Sequence, residues 1–395
     1  MTTFAPSENS MWEKLSPEPT RQPTDDEINQ KYVKSELRIV TETNREQLPN
    51  FVSALKRQGW ISLQPFYQRR KRWDDKRKSK LIESFIMNVP VPPCFLYESE
   101  FARYEVMDGQ QRISAIYDFY ENRFALKGLE QWPELNGRIY DKLPSEIKKG
   151  LDRRSVSYIV LLKESAKTTD DEVLLRQQVF ERLNTGGVEL ENQEIRHCIY
   201  HSSFDDLLIE LSRLDLMRQA WGLVKYGQDE EENPPESLLK NPYFSKMRDV
   251  ELILRFFALR HANHYRGGMQ SFLDLYMVRS RRFGDADIDV LRRVFIDTIN
   301  LAHDIYGDLL FRPWDTKKNE WVPHPHVAFA DAVMVGLSTM LSRAGDLRAK
   351  KDHVIEATKQ LIMTSAVGAF TGQRNTKSDV LERLESYRKT ITSLL

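Results

Sequence analysis

The sequence predicts an α+β protein in which a small sheet with flanking helices precedes a mainly α-helical domain. Short aromatic and β-branched segments, CFLYE (94–98) and YEVMD (104–108), predict strands, and helical periodicity surrounds them. In the C-terminal half, apolar residues recur at i, i+3, i+4 and i+7 through several long segments, which predicts helices. A chain of 395 residues is long enough for two domains.

Composition limits the functional classes. The 58 basic and 58 acidic residues balance, so bulk charge argues against a nucleic-acid coat protein or an acidic tail. Cys94 and Cys198 lie far apart without CxxC spacing, which predicts neither a disulfide framework nor a zinc site. The sequence has no apolar run of membrane-spanning length and no signal-peptide pattern, so we expect a cytoplasmic protein without membrane association.

The elements follow in order from the N-terminus. Residues 1–45 are rich in Pro, Ser, Thr and acids and predict a flexible arm. The first domain is expected over residues 46–200 and the helical domain over residues 201–395. A first helix is predicted by Leu48, Phe51 and Leu55 and would end at Gly59.

A second helix is expected to begin at Asp74 or Asp75 and to bury Leu81, Phe85 and Ile86. The prolines of VPVPP end it, because proline lacks the backbone donor that a helix needs. The CFLYE and YEVMD strands would then form a hairpin across the loop SEFAR, and helical periodicity resumes after residue 112.

The segment DGQQR, residues 108–112, therefore lies at a corner between a strand and a helix. The N-terminus of a helix offers unpaired N–H groups to an anion, Gly109 permits close approach, and Arg112 has a planar fork suited to phosphate. Gln110 and Gln111 supply neutral donors and acceptors for a nucleotide or a base edge. Asp108 could hold a metal ion or a water, or cap the helix. The alternative is an ordinary turn beside a surface arginine.

Two further polar clusters accompany this corner. The first is a basic loop in which a tryptophan could stack on a base, and its alternative is a solvated helix face. Its members are Pro65, Tyr67, Gln68, Arg69, Arg70, Lys71, Arg72 and Trp73, and the basic run continues through Lys76, Arg77, Lys78 and Lys80. The second surrounds a tight turn in residues 177–200 and could be no more than a hinge between helices. Its members are Arg182, Asn184, Thr185, Glu194 and Arg196, before a helix expected to start at Asn192 and to bury Ile195, Cys198 and Ile199.

Together these segments resemble a known family. PFYQRR, the LIESF helix, VPVPP, FLYE, VMDGQQR and VFERLNTGGVELENQEIR, in this order, are similar to the N-terminal domain of GmrSD-type restriction systems. That domain resembles the broader ParB and sulfiredoxin superfamily. The resemblance covers about residues 46–200, with a looser helical continuation, and implies a small ParB/sulfiredoxin-like mixed sheet with flanking helices.

The resemblance also implies nucleotide chemistry linked to DNA in bacterial antiphage defence. A nucleoside triphosphate (ATP, GTP or CTP) would bind at the corner, with Asp108, Gln111 and Arg112 as the catalytic group and Mg²⁺ on Asp108. The implied nucleotide-binding residues are Tyr67, Gln68, Arg69, Gly109, Gln110, Arg182, Asn184 and Thr185. The DNA-binding residues expected from the basic loop are Arg70, Lys71, Arg72 and Trp73. Expected partners are DNA and a separately encoded nuclease or ATPase, and a homo-oligomer stays open.

One departure from the family pattern argues against an HNH-type nuclease in this chain. Nuclease-bearing relatives carry an HNH-type motif, in which a histidine activates water beside a metal. Here His324 and His326 lie on a proline-rich loop without a matching partner set, and His261 and His264 are expected at the end of a helix. Three hypotheses therefore stand: a nucleoside triphosphatase that senses or engages DNA, a metal-dependent DNase that uses the DGQQR site, and a non-catalytic DNA-binding module switched by nucleotide.

Overall fold

The computed structural model describes residues 4–12, 24–26, 29–30, 41–57, 60–62, 73–162, 179, 191–227, 230, 234–373 and 376–395. The chain forms two compact units. One comprises Glu18–Leu190 and is called the sheet unit; the other comprises Met1–Pro17 with Glu191–Leu395 and is called the helical unit. The predicted α+β class, with a small mixed sheet and a mainly helical C-terminal part, is confirmed.

The described residues form the following elements. The strands are β1 Thr41–Gln47, β2 Ile61–Ser62, β3 Cys94–Glu100, β4 Arg103–Asp108, β5 Ser155–Leu161, β6 Trp314–Asp315 and β7 Glu320–Trp321. The helices up to the middle of the chain are α1 Pro6–Ser10, α2 Leu48–Leu55, α3 Asp75–Met87, α4 Gln110–Tyr120, α5 Ser145–Asp152, α6 Asn192–Ile199, α7 Ser203–Ser212 and α8 Asp215–Ala220. The later helices are α9 Glu236–Lys240, α10 Pro242–Ser245, α11 Arg248–Leu259, α12 Gly268–Ser280, α13 Asp285–Tyr306, α14 Val327–Ser338, α15 Ala344–Ala349, α16 Lys351–Thr364 and α17 Lys377–Thr392.

The sheet unit is built on a five-stranded mixed sheet of order β1-β5-β3-β4-β2. β5 pairs antiparallel with β1 and parallel with β3, with Cys94 opposite Tyr158 and Tyr97 opposite Leu161. β3 and β4 form the predicted hairpin, which turns at residues 101–102. The β3–β4 hairpin brings the end of β4 back beside the start of β3, and this is where the DGQQR segment begins.

Helices cover this sheet because each has one apolar face. Asp74 caps α3 through a 2.8 Å hydrogen bond from the Arg77 N–H to its Oδ1, as predicted. Leu81 and Phe85 of α3 are buried, and Asn88 ends the helix in the left-handed conformation before the prolines. α2 ends at Leu55, and Gly59 lies outside the described residues. The core between sheet and helices includes Phe51, Phe85, Leu96, Ile113 and Phe119.

The helical unit packs around α14. This helix is buried on all sides, which its apolar composition predicts for a helix in the middle of a core. A Cβ at Gly336 would lie 2.5 Å from the Tyr387 ring, so the glycine permits the close approach of α14 and α17. No single described helix is long and apolar enough to cross a membrane, although Val327–Ser338 and Leu341–Ala349 pass that test together across a 74° bend.

The N-terminal residues belong to this helical unit. We expected a flexible arm over residues 1–45, but residues 4–12 include α1 and pack into the helical unit with Ala5 and Glu8 fully buried. The segment is held by partners more than two hundred residues away, which composition and local periodicity do not reveal. The two units meet in sequence at Leu190 and Glu191, ten residues before the expected boundary at 200.

Candidate functional site

The corner at residues 108–112 has the local structure that the sequence predicts. β4 ends at Asp108, Gly109 is the N-cap residue with φ 96° and ψ 7°, and α4 begins at Gln110. The Ile113 N–H donates to the Gly109 carbonyl at 2.9 Å and closes the first helical turn. The chain therefore turns from strand to helix within one residue.

Only glycine fits at position 109. Its φ lies in the left-handed region, which side-chain-bearing residues rarely adopt. A Cβ there would lie 2.6 Å from the Cys94 Sγ and 3.0 Å from the Arg112 Nη2. Both backbone conformation and packing therefore fix this residue type.

The first backbone donors of α4 point out of the helix end. The first intrahelical bond is donated by Ile113, and glycine has no side chain with which to cap the preceding donors. Within the described part of the chain, the N–H groups of Gln110, Gln111 and Arg112 have no hydrogen-bond acceptor. Together with the positive end of the helix dipole, they offer a site for an anion.

The Arg112 guanidinium is held beside these donors. Its Nη2 pairs with the Asp108 Oδ2 at 2.5 Å, and its Nη1 donates to the Pro92 carbonyl at 3.0 Å. Its side chain is 14% exposed, and that of Asp108 is 39% exposed. The two contacts use two of the five N–H donors of arginine and fix the plane of the fork. The group is therefore oriented in advance and keeps donors for a ligand.

Gln111 connects this corner to the end of the basic loop. Its Oε1 accepts a 2.9 Å hydrogen bond from the backbone N–H of Trp73. The Trp73 ring is half-buried and packs against the core, so its stacking on a base stays a prediction that could use only the exposed part of the ring. Gln110 is half-buried at the start of the helix.

Cys94 lies behind the corner. Its Sγ is 3.9 Å from the Gly109 carbonyl oxygen, and the residue is fully buried. Burial raises the pKa of the thiol to about 12, the Arg112 charge opposes this increase, and the Asp108 charge adds to it. The thiol therefore stays protonated and serves as packing, because a neutral thiol is a poor nucleophile.

Glu83 is a buried carboxylate of α3. Its Oε1 accepts backbone hydrogen bonds from Glu130, Gln131 and Trp132 at 3.1, 2.8 and 3.1 Å. It therefore holds the loop after α4. Among the described residues, no three His, Cys, Asp or Glu side chains are grouped for a metal ion.

Nine of the predicted site residues lie outside the described residues. They are Tyr67, Gln68, Arg69, Arg70, Lys71, Arg72, Arg182, Asn184 and Thr185. Their proposed contacts with nucleotide or DNA stay predictions. The structure brings together Asp108, Gly109, Gln110, Gln111, Arg112 and the backbone of Trp73.

The helix that follows the second polar cluster differs in detail from the prediction. Its N-cap is Glu191 and not Asn192, because the Glu191 N–H donates to the Glu194 carboxylate at 2.9 Å. Its inner face carries Arg196, which is 1% exposed and bonds to Asp274 at 2.7 Å and to Glu251 at 2.9 Å. Arg196 is thus a structural arginine of the helical unit. Helical spacing alone could not show this, because the acidic partners come much later in the sequence.

Comparison with known proteins gives one family match, and it covers the part of the chain that contains the corner. Residues 48–201 match the family model described as GmrSD restriction endonuclease, N-terminal domain. The segment is therefore similar to a GmrSD-type N-terminal domain. It contains every residue of the corner and ends just after α6. Searches of curated proteins and of solved structures give no significant match.

Proposed function

We propose that the sheet unit is a ParB-like nucleotide-binding domain that hydrolyses a nucleoside triphosphate and thereby regulates how a restriction system acts on DNA in antiphage defence. The observation that carries the proposal is the corner at residues 108–112, where helix N–H groups and a held arginine converge. The family name supports DNA as the target, because restriction endonucleases act on DNA.

The corner suits a phosphate group better than a base edge. Phosphate oxygens accept hydrogen bonds and carry negative charge, and the corner offers N–H donors, a helix N-terminus and the Arg112 fork. Close approach is possible because Gly109 presents no side chain. Donors fixed before binding also stabilise the charge that develops when a phosphoryl group is transferred.

Asp108 would hold Mg²⁺ in this scheme. Mg²⁺ is usually bound by one or two carboxylates together with phosphate oxygens and waters, so a large cluster of acids is unnecessary. The Asp108 carboxylate is part-exposed, and its pairing with Arg112 occupies Oδ2. When bound, the ion would neutralise phosphate charge. Gln111, held by the Trp73 N–H, is our candidate for orienting the attacking water.

The deciding experiment compares nucleotide binding and hydrolysis by the wild type, Arg112→Ala, Arg112→Lys and Arg103→Ala, with and without DNA. ATP, GTP and CTP are each tested with Mg²⁺. Arg112→Ala should weaken binding by roughly 10- to 100-fold, because charge-assisted hydrogen bonds are lost. Arg112→Lys should be intermediate, because it keeps the charge and loses the fork. Arg103, a 63% exposed arginine at the other end of β4, is the matched control.

The outcomes separate the hypotheses. Binding without turnover supports a nucleotide switch, and Mg²⁺- or Mn²⁺-dependent plasmid cleavage that is lost in Asp108→Ala supports a DNase. Equal behaviour of Arg112→Ala and Arg103→Ala would contradict the proposed corner, as would the absence of any nucleotide-dependent thermal shift.

The basic loop supplies a separate test for DNA. Association should weaken steeply with salt, because phosphate contacts release counterions. Neutralising Arg70, Lys71 and Arg72 together should reduce both the affinity for DNA and the slope of log affinity against log salt concentration. Fluorescence anisotropy on duplex DNA measures both. An unchanged slope would remove these three residues from the proposed DNA interface.

A further inference from the structure

Residues 4–12 enter the helical unit as a short, separate segment. Twenty-eight residues, 13–40, separate Trp12 from Thr41 in the sequence, while the side chains that hold the segment come from residues 260–287. The helix within it, α1, has five residues, which is too short for a stable isolated helix in water. The surrounding helical unit therefore sets the conformation of the segment.

Three side chains at four-residue spacing converge on one histidine. The Phe4 ring stacks on His261 at 4.4 Å between centroids, the Glu8 Oε1 lies 2.9 Å from its Nε2, and the Trp12 indole N–H donates to its Nδ1 at 3.1 Å. Because an indole N–H can only donate, Nδ1 is the acceptor and the ring proton is on Nε2, where it donates to Glu8. Both ring nitrogens and one ring face of His261 are thus occupied by the segment.

Glu8 is the central anchor. It is fully buried, and its Oε1 also accepts from the Tyr276 hydroxyl at 2.9 Å and lies 3.4 Å from the Arg260 Nη1. Its Oε2 accepts from the Ala5 N–H at 2.8 Å, which closes the turn of the segment. Burial opposes ionisation, but the His261 hydrogen bond and the Arg260 charge outweigh it and lower the pKa of Glu8. The helical unit therefore provides a dry, positively charged pocket for one carboxylate.

Residues on either side of Glu8 make further contacts with the helical unit. The Trp12 ring stacks on His264 at 4.7 Å with an interplanar angle of 4°. The Ser7 N–H and hydroxyl each donate to Asp287 at 2.8 Å. The Met11 carbonyl accepts from Arg279. Aromatic anchors, one buried charge and a few backbone contacts are how folded domains recognise short peptides.

We propose that the turn at residues 260–264, α12 and α13 form a peptide-binding site, and that residues 4–12 are its intramolecular ligand. The ligand class is a short peptide with an aromatic residue, a glutamate and a tryptophan at four-residue spacing. The covalent connection gives the resident segment a high effective concentration, so it fills the site until a peptide with the same pattern competes. The proposal is independent of the nucleotide proposal, because none of these residues lies in the sheet unit.

The experiment uses the full chain with a protease site introduced within residues 13–40. After cleavage of the folded protein, the N-terminal fragment should stay bound and should be displaced by an excess of a fluorescent FAPSENSMW peptide, followed by size-exclusion chromatography and anisotropy. Peptides with Glu8→Gln or Trp12→Phe should bind about 10-fold or more weakly, because each leaves buried polar partners unsatisfied. A peptide with Asn9→Ala should bind like the wild type, because Asn9 is exposed.

Three results would overturn the proposal. The fragment could resist displacement at any peptide concentration, the Glu8 and Trp12 variants could bind as tightly as the wild-type peptide, or the helical unit could lose its cooperative thermal transition when the fragment leaves. The first and third would make residues 4–12 a permanent part of the core, and the second would remove the proposed recognition.

Discussion

The two units use arginine in opposite ways. In the sheet unit, Arg112 lies at a surface corner with one part-exposed carboxylate and one carbonyl as partners. In the helical unit, Arg218 is 1% exposed, pairs through both terminal nitrogens with Glu230 and also donates to the Val224 and Ser212 carbonyls. Arg112 keeps N–H donors for a ligand, whereas Arg218 uses its donors for hydrogen bonds within the protein.

The surroundings of an arginine, and not the residue type, therefore distinguish one that can bind a ligand from one that stabilises the fold. Removing one partner of a buried ion pair leaves the other charge buried and unpaired, which is costly. Removing a part-exposed arginine leaves a carboxylate that water can solvate, so stability changes little. The comparison therefore predicts large stability effects in the helical unit and functional effects at the corner.

The largest expected effect is at Arg218. Arg218→Ala should lower the free energy of unfolding by about 3–5 kcal/mol, because Glu230 stays buried without its partner. Denaturant unfolding followed by circular dichroism measures it. Lys225→Ala, which breaks the exposed pair with Asp215, should leave the transition unchanged. Equal effects of the two substitutions on unfolding would mean that the buried Arg218–Glu230 pair is no more important for stability than an exposed pair.

Gly109→Ala should have the second largest effect on stability, a destabilisation of about 1–3 kcal/mol, and should abolish nucleotide binding. An alanine would strain the backbone at this positive φ, and its Cβ would crowd Cys94. Gly137→Ala is the matched control, since Gly137 also has positive φ (85°) but has open space around its Cβ position. The difference between the two variants isolates crowding from backbone strain. Intact nucleotide binding in Gly109→Ala would contradict the close approach of a phosphate.

Low pH should weaken the binding of residues 4–12 to the rest of the helical unit. The pKa of Glu8 is lowered in the folded protein, so its stabilising contribution is present above the usual value of 4.5 and is lost as the pH falls further. Urea unfolding of the wild type and Glu8→Gln from about pH 7 to about pH 3 should show a stability difference that shrinks at the acid end. A difference that is constant with pH would mean that Glu8 is not ionised in its pocket.

The smallest expected stability effect is at Arg112. Arg112→Ala should change the free energy of unfolding by less than about 1 kcal/mol, because the Asp108 partner is part-exposed. Thermal unfolding without nucleotide measures this, and the same samples with nucleotide should lose the ligand-induced shift. A loss of stability comparable to that of Arg218→Ala would make Arg112 a structural residue.

Much of the corner could be predicted from sequence because it is local. Asp74 caps its helix through the N–H three residues later, and the strand, Gly109 and α4 follow one another without a break. The hairpin joins two neighbouring segments across a short turn. Such contacts are fixed by nearby propensities and patterning, which sequence reasoning can weigh.

Other features depended on distant partners. Glu83 accepts hydrogen bonds from a loop forty-seven to forty-nine residues later in the sequence. In the sequence, Arg196 is one of several polar residues around a turn. Its acidic partners, Glu251 and Asp274, lie on α11 and α12. Sequence spacing gives no sign of such pairs, because a charged residue on a helix is usually solvated.

Local periodicity, glycine geometry and motif spacing were enough to predict the α+β class, the strand-to-helix corner and a segment order similar to that of a GmrSD-type domain. That residues 4–12 belong to the helical unit follows only from the folded chain, in which Glu8 contacts partners 252 to 268 residues away. A buried charge is stable only where opposite charge and hydrogen bonds surround it, and those come from the folded helices together.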